Sequence, residues 1–204
     1  LEMSTEDLSA FAGDLLSATA DTGDGEASLS LISNVASVIG GEEETDVNGT
    51  VIEKTPEQLA AEQALIDNLF AATIAAAGQV GTGTSAAATS QVLSTVSTLS
   101  ANPETLSEDS QSGALGLMSS VVGGASSQGI DPDTAASTAS TVSSLLDASL
   151  FSGGGDADTE LGGQMAGTVG GLATAMIAKA YGGQSQSVVS DNLELTAFRT
   201  DCGT

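Results

Sequence analysis

Residues 188–204, VVSDNLELTAFRTDCGT, break the pattern of everything before them, and their reading decides the fold. Leu193, Leu195 and Ala197 fall on one side of an extended chain, with Asn192, Glu194, Thr196 and Phe198 on the other. That alternation is the period of a β-strand. Upstream, apolar residues recur at helical spacing between Gly- and Ser-rich breaks. A single strand cannot stand alone, because its backbone N–H and C=O groups need a partner. The sequence therefore predicts a mainly α chain, an antiparallel multi-helix bundle over residues 1–186. Residues 187–204 then begin a β subdomain, and the strand's partner lies outside the segment or on a neighbouring chain.

Working back from that strand, the clearest helix start is TPEQ at residues 55–58. Thr55 stands at the N-cap, Pro56 at the first helical position and Gln58 where a capping box needs it. Leu59, Leu65, Ile66, Leu69, Phe70 and Ile74 then trace one stripe. Ser85 caps a following helix that carries Ala88, Val92, Val96 and Leu99. Earlier, Ser4 caps a helix with Leu8, Phe11, Leu15 and Leu16 on one face, and DTGDGEAS breaks it. Leu29, Ile32, Val35, Ala36 and Ile39 line the next helix, which Gly40-Gly41 ends. Residues 41–54, GEEETDVNGTVIEK, have too few apolar side chains to pack and read as an acidic loop.

All 3 prolines precede an acid: Pro56-Glu57, Pro103-Glu104 and Pro132-Asp133. Proline at a helix start loses no hydrogen bond, and an acid in the first turn suits the helix dipole. The latter two open related segments, each running from proline and acid through an apolar stripe to a glycine stop. The stripes are Leu115, Met118, Val121 and Val122 in one, and Val142, Leu145, Leu146 and Leu150 in the other. Such units predict consecutive helices stacked antiparallel on short loops. They are too few to make a solenoid. A last helix covers about residues 159–181, and Gly182-Gly183 terminates it.

Composition excludes several classes of function. Lys54, Lys179 and Arg199 face 27 carboxylates, for a formal net charge of −24. Phosphate binding needs clustered Lys and Arg, so nucleic acid is not a partner, and an anionic membrane surface would repel the chain. Such acidity keeps a protein soluble and suits an extracellular or high-salt setting. The chain has no His, which removes the usual general base and the commonest zinc ligand. Among the many serines none has a His partner, and no G-x-S-x-G elbow occurs. VGTGTS contains a short G-x-G, but neither a dinucleotide fingerprint nor a phosphate loop follows. The sequence reads as that of a non-enzyme without a cofactor.

Asp156, Asp158 and Glu160 alternate like the opening of a calcium loop. Leu161 stands where such a loop requires Gly, and Gly167 where it requires Glu, so no metal site is assigned. Gly163, Gly167 and Gly171 recur every four residues, with Gly162, Ala166 and Gly170 beside them. This leaves one helix face nearly bare and predicts a helix wedged tightly against others. Residues 165–178 are the most apolar window but are too short to span a bilayer. Asn48-Gly49-Thr50 is an N-glycosylation sequon on a polar loop, which makes Asn48 the candidate modification site. Cys202 is the lone cysteine, a disulfide candidate whose partner lies beyond the segment or on another chain, or else a free thiol. The chain opens LEMSTEDLSA, polar and acidic with no initiator Met, and reads as a piece of a longer protein.

Residues 92–149, VLSTVSTLSANPETLSEDSQSGALGLMSSVVGGASSQGIDPDTAASTASTVSSLLDAS, resemble the helical region of polycystin-1-like proteins. That region lies between the receptor-for-egg-jelly (REJ) module and the autoproteolysis-inducing (GAIN) domain. Residues 187–199, SVVSDNLELTAFR, are similar to the passage from the family's helical subdomain into its β-sandwich. The shared motifs are caps and apolar patterns, and the earlier residues match only in being helical. The resemblance implies the smaller, helical subdomain of a GAIN-like fold, followed by the first strand of a β-sandwich. The family's self-cleavage requires a His two residues before a Thr or Ser nucleophile, so no cleavage role passes to any residue here. It further implies a non-enzymatic scaffold and interaction subdomain of a large cell- or ciliary-surface glycoprotein. Its partners would be other domains of the same chain and a channel subunit. The rival expectation is a structural subunit of an extracellular filament such as a ciliary hair (mastigoneme), with the strand pairing and Cys202 cross-linking between chains. A soluble acidic metal binder is the third.

Overall fold

The computed structural model describes residues 13–14, 17, 23–39, 55–80, 85–101, 106–151 and 157–200. The stripe of the first helix, the acidic loop and Pro103 lie outside them. Within them the fold is mainly helical with one small antiparallel sheet. The elements are α1 (Gly25–Ile39), α2 (Pro56–Val80), α3 (Ala86–Leu99), α4 (Glu108–Gly124), α5 (Pro132–Phe151) and α6 (Ala157–Ile177). They are followed by β1 (Ser185–Ser190) and β2 (Leu193–Phe198).

The helix starts are where cap chemistry puts them. Thr55 N donates to Gln58 Oε1 at 2.8 Å and Gln58 N to Thr55 Oγ1 at 3.2 Å, a reciprocal capping box. Ser85 Oγ accepts from Ala88 N at 3.1 Å. Asp24 and Asp131 cap α1 and α5 in the same way, accepting from Ala27 N and Thr134 N. The helix predicted after Pro103 begins only at Glu108, with Ser107 as its N-cap. There the Ser hydroxyl provides the stop for orphan N–H groups that a proline lacks.

The helices pair and stack in two layers. α1, α3 and α5 are neighbours in one layer, and α2, α4 and α6 in the other. Ser90 meets Asp131 and Thr134, while further along Ser97 accepts from Ser137 at 2.8 Å and Thr141 at 2.9 Å, so α3 and α5 run parallel. Ser112 meets Gln164 and Leu115 O meets Thr168, so α4 and α6 run parallel too. The two related segments were expected to lie against each other. Instead α4 barely touches α5, and its most extensive contact is with α6. Among the described residues the arrangement is three helical pairs stacked in series, the least a solenoid-like stack requires.

Small residues explain that preference. A methyl placed on Gly171 would lie 3.3 Å from Val122 Cγ1, and one on Gly167 3.2 Å from Ser119 Oγ, so part of the bare face of α6 is pressed on α4 as predicted. Gly162, Gly163 and Gly170 face open space instead. Gly25 serves the same end at the first pair, where a methyl would meet Val80 Cγ2 at 2.5 Å and Ala76 O at 2.7 Å.

One core runs through the stack. Leu29, Ile32, Leu65, Leu69, Val92, Val96, Leu115, Met118, Leu145 and Leu172 are among its fully buried members. The predicted stripes on α3 and α4 are buried throughout. On α2 the stripe is shorter than predicted: Leu59 and Ile74 remain 46% and 47% exposed, while Thr73 and Glu62 are buried. Thr73 is satisfied by its own helix, its hydroxyl donating to Leu69 O at 2.7 Å.

The strand prediction needs correction. β2 pairs inside the segment with β1, antiparallel, in the register Ser185↔Phe198 through Ser190↔Leu193. Asp191-Asn192 close the hairpin. The sides predicted for β2 hold: Leu193 and Leu195 are half-buried and Ala197 buried, with Glu194, Thr196 and Phe198 outside.

Candidate interaction surface

The hairpin forms because α6 stops short of it. After Ile177 a tight turn closes with Gln184 N donating to Tyr181 O at 3.1 Å, and Gly183 takes the positive φ of 80° that its third position demands. Gly183 N then donates to Arg199 O at 2.7 Å while Arg199 N donates to Gln184 O at 3.0 Å. Two residues thus oppose one, and Gly183 opens a G1 bulge at the base of β1. The Arg199–Gln184 bond sets the alternation of the ladder. Gln186, Val188 and Ser190 exchange hydrogen bonds with Ala197, Leu195 and Leu193. The backbone groups of Ser185, Ser187 and Val189, and of Glu194, Thr196 and Phe198, therefore point to the two outer edges.

The inner face is seated on the last helical pair. β1 lies over α5 and β2 over α6. Asn192 N donates to Ser143 Oγ at 2.8 Å, and Ser190 Oγ reaches Ala139 O at 3.4 Å. Ala139 and Ser143 each stand two positions from Ser137 and Thr141, about 200° around the helix, hence on the side of α5 away from α3. The hairpin takes the place of a further helical pair at the end of the stack. Val188 and Ala197 are buried beneath it. The Arg199 guanidinium donates to Ala178 O at 3.3 Å and Ala180 O at 3.1 Å, meeting the negative end of α6 with one of the chain's few cations.

The outer face is left to solvent. Val189 is 71% exposed and Phe198 65%, with Tyr181 at 79% beside the base of the hairpin. Ser187 and Thr196 lie between the two ends. No other stretch of the described residues concentrates exposed large apolar side chains in this way.

Asn48 and Cys202, the residues predicted to carry modification and cross-linking, lie outside the described residues, as does Asp156. Asp158 and Glu160 fall in the first turn of α6, so their alternation belongs to a helix and not to a calcium loop. Among the described residues no group of three or more His, Cys, Asp or Glu is placed to hold a metal ion. Nor is any described helix long and apolar enough to cross a membrane. Asp131, at the start of α5, has a structural role. Asp131 is held below the usual carboxylate value chiefly by the Thr134 hydroxyl, then by the Thr134 N–H, with burial opposing and Ser90 adding to the lowering. At the start of α4 the hydroxyls of Ser107 and Ser110 both donate to Asp67 Oδ1, tying that helix to α2.

β1 is the element of this surface that sequence reading missed. Its signal was present: SVVS and LELTAF flank Asp191-Asn192, a pair of turn formers between two runs of strand formers. Compared with family models, with curated proteins and with solved structures, the chain matches none.

Proposed function

We propose that this chain is a non-enzymatic scaffold and interaction subdomain of a large, polycystin-like cell- or ciliary-surface glycoprotein. In this reading the helical stack is the GAIN-like helical subdomain, and the hairpin leads into the β-sandwich that the resemblance implies. The observation that carries it is the hairpin itself: its inner face is bound to the last helical pair, and its apolar outer residues Val189 and Phe198 are turned outward. A layer held so presents a junction to whatever lies beyond. The −24 charge and the sequon at Asn48 fit an extracellular setting. Partners are other domains of the same chain and a channel subunit, with no nucleic acid and no membrane insertion by this segment.

The open strand edges also favour the second reading, a structural subunit of an extracellular filament such as a ciliary hair, where chains pair edge to edge. Intact mass and disulfide mapping of the native protein separate the two. Glycan on Asn48 and a bridge from Cys202 to a cysteine of the same chain support the scaffold. A bridge to another chain, with self-association in sedimentation, supports the filament. A bare Asn48 with a reduced Cys202 refutes both.

A further inference from the structure

We infer that the outer edge of β2 is a strand-addition site for an extended segment of a partner chain, one that carries a basic residue opposite Glu194 and an apolar residue opposite Phe198. The inference rests on the interaction-surface reading and adds which edge is used and what chemistry fits it.

The ladder selects the edge. Glu194, Thr196 and Phe198 form its non-hydrogen-bonded pairs with Val189, Ser187 and Ser185, so their N–H and C=O groups point away from β1. Among the described residues no hydrogen bond reaches these outward groups. Natural edges are usually blunted by Lys, Pro, a bulge or a cover. β1 has such a guard, the Gly183 bulge at its base. β2 has no bulge: LELTAF contains neither Lys nor Pro, Glu194 is its one charge, and its register is regular from Leu193 to Phe198. A free, regular edge is what backbone-mediated peptide capture requires, with alternate side chains reading the outer face.

Charge selects the occupant. A second copy would bring another −24 against the first. Val189 and Phe198 also stand at opposite ends of the outer face, separated by Ser187 and Thr196. They offer far less than the roughly 800 Å² per partner that a stable dimer needs. A partner strand with a cation opposite Glu194 turns the same charge to advantage, since opposite charges facing each other across strands stabilise pairing. Phe198 supplies the apolar anchor at the other end.

The test uses two blocked peptides, Ser-Val-Ala-Thr-Ala-Lys-Ser and its analogue with Glu in place of Lys, titrated at up to millimolar concentration into the isotopically labelled full chain. The expected result is slowed hydrogen exchange at the Glu194, Thr196 and Phe198 amides by about tenfold or more with the Lys peptide. The Glu peptide binds several-fold more weakly, and the gap narrows in high salt. Thr196→Pro removes an outward N–H that the hairpin does not use, so it abolishes the effect while the inward amides of Leu193, Leu195 and Ala197 stay protected. Glu194→Lys reverses the preference between peptides, which covers the case in which the proline variant misfolds. No protection of the outward amides, or equal binding by Thr196→Pro, overturns the site. A dimer in sedimentation that Thr196→Pro dissolves overturns the partner assignment in favour of a second copy. None of these outcomes depends on the glycan and disulfide map, so either proposal can fail alone.

Discussion

Gly170 and Gly171 are neighbours on α6, yet alanine at the two positions should act in opposite directions. Alanine in a helix interior is better than glycine by about 0.5–1 kcal/mol, mostly through the unfolded chain. Nothing lies within 4 Å of a methyl on Gly170, so Gly170→Ala realises that gain in full. Its melting temperature should rise by about 1–4 °C. At Gly171 the same methyl sits 3.3 Å from Val122 Cγ1 and 3.5 Å from the Gly123 backbone N. Val122 is fully buried and stiff about χ1, so it cannot swing aside and the helices must part. Overpacking of this kind costs about 1–3 kcal/mol, so Gly171→Ala ranges from near neutral to a loss of about 2 kcal/mol. Urea unfolding followed by circular dichroism, with unchanged m-values, measures both. Val122→Ala removes the obstructing methyls, so adding Gly171→Ala to it should cost little, a coupling of about 1 kcal/mol or more. If Gly171→Ala stabilises as much as Gly170→Ala, α4 and α6 do not approach as described, and the packing argument for the second layer fails.

Other consequences can be measured separately. Thr55→Ala removes one half of the capping box and should destabilise by about 0.5–2 kcal/mol, most of which a Ser at that position restores; equilibrium unfolding decides. Arg199→Met should release the base of the hairpin from α6, speeding exchange at the β1 and β2 amides while core amides of α3 and α4 hold, and high salt should mimic it weakly in the parent. Asp131 has a depressed carboxyl pKa in the folded chain. Its contribution is therefore complete above the unfolded value near about 3.9 and is lost as pH falls through the lower folded value. Asp131→Asn should keep the cap but flatten that acid limb, which unfolding curves taken across acidic pH would resolve.

Much of this was legible in the residues. The capping box and the Ser caps are local chemistry, complete within four residues, so TPEQ and Ser85 announced α2 and α3 without tertiary help. The apolar period on α3 and α4 was equally plain, because every predicted position is buried. Leu59 and Ile74 were misplaced because periodicity says which residues share a face but not how far the neighbouring helix extends along it. α4 starts in the Ser-rich stretch that follows the proline and acid, with Ser107 as its cap. At the candidate surface the alternation of β2 was right and its partner was not. The turn at Asp191-Asn192 is short, and SVVS carries only Val188 and Val189 to mark it as a strand.

The sequence by itself determined the mainly helical class of the fold, the starts of α2 and α3 and most of the composition of the core. These depend on composition and on contacts between near neighbours in the chain. Only the tertiary structure decided that the helices stack in two layers, that α4 chooses α6 over α5, and that the hairpin closes on itself and ends the stack. Those outcomes rest on a few methyl-sized clearances, such as Gly171 against Val122, and on bonds such as Asn192 to Ser143. The groups concerned are far apart in sequence, and no local pattern records their meeting.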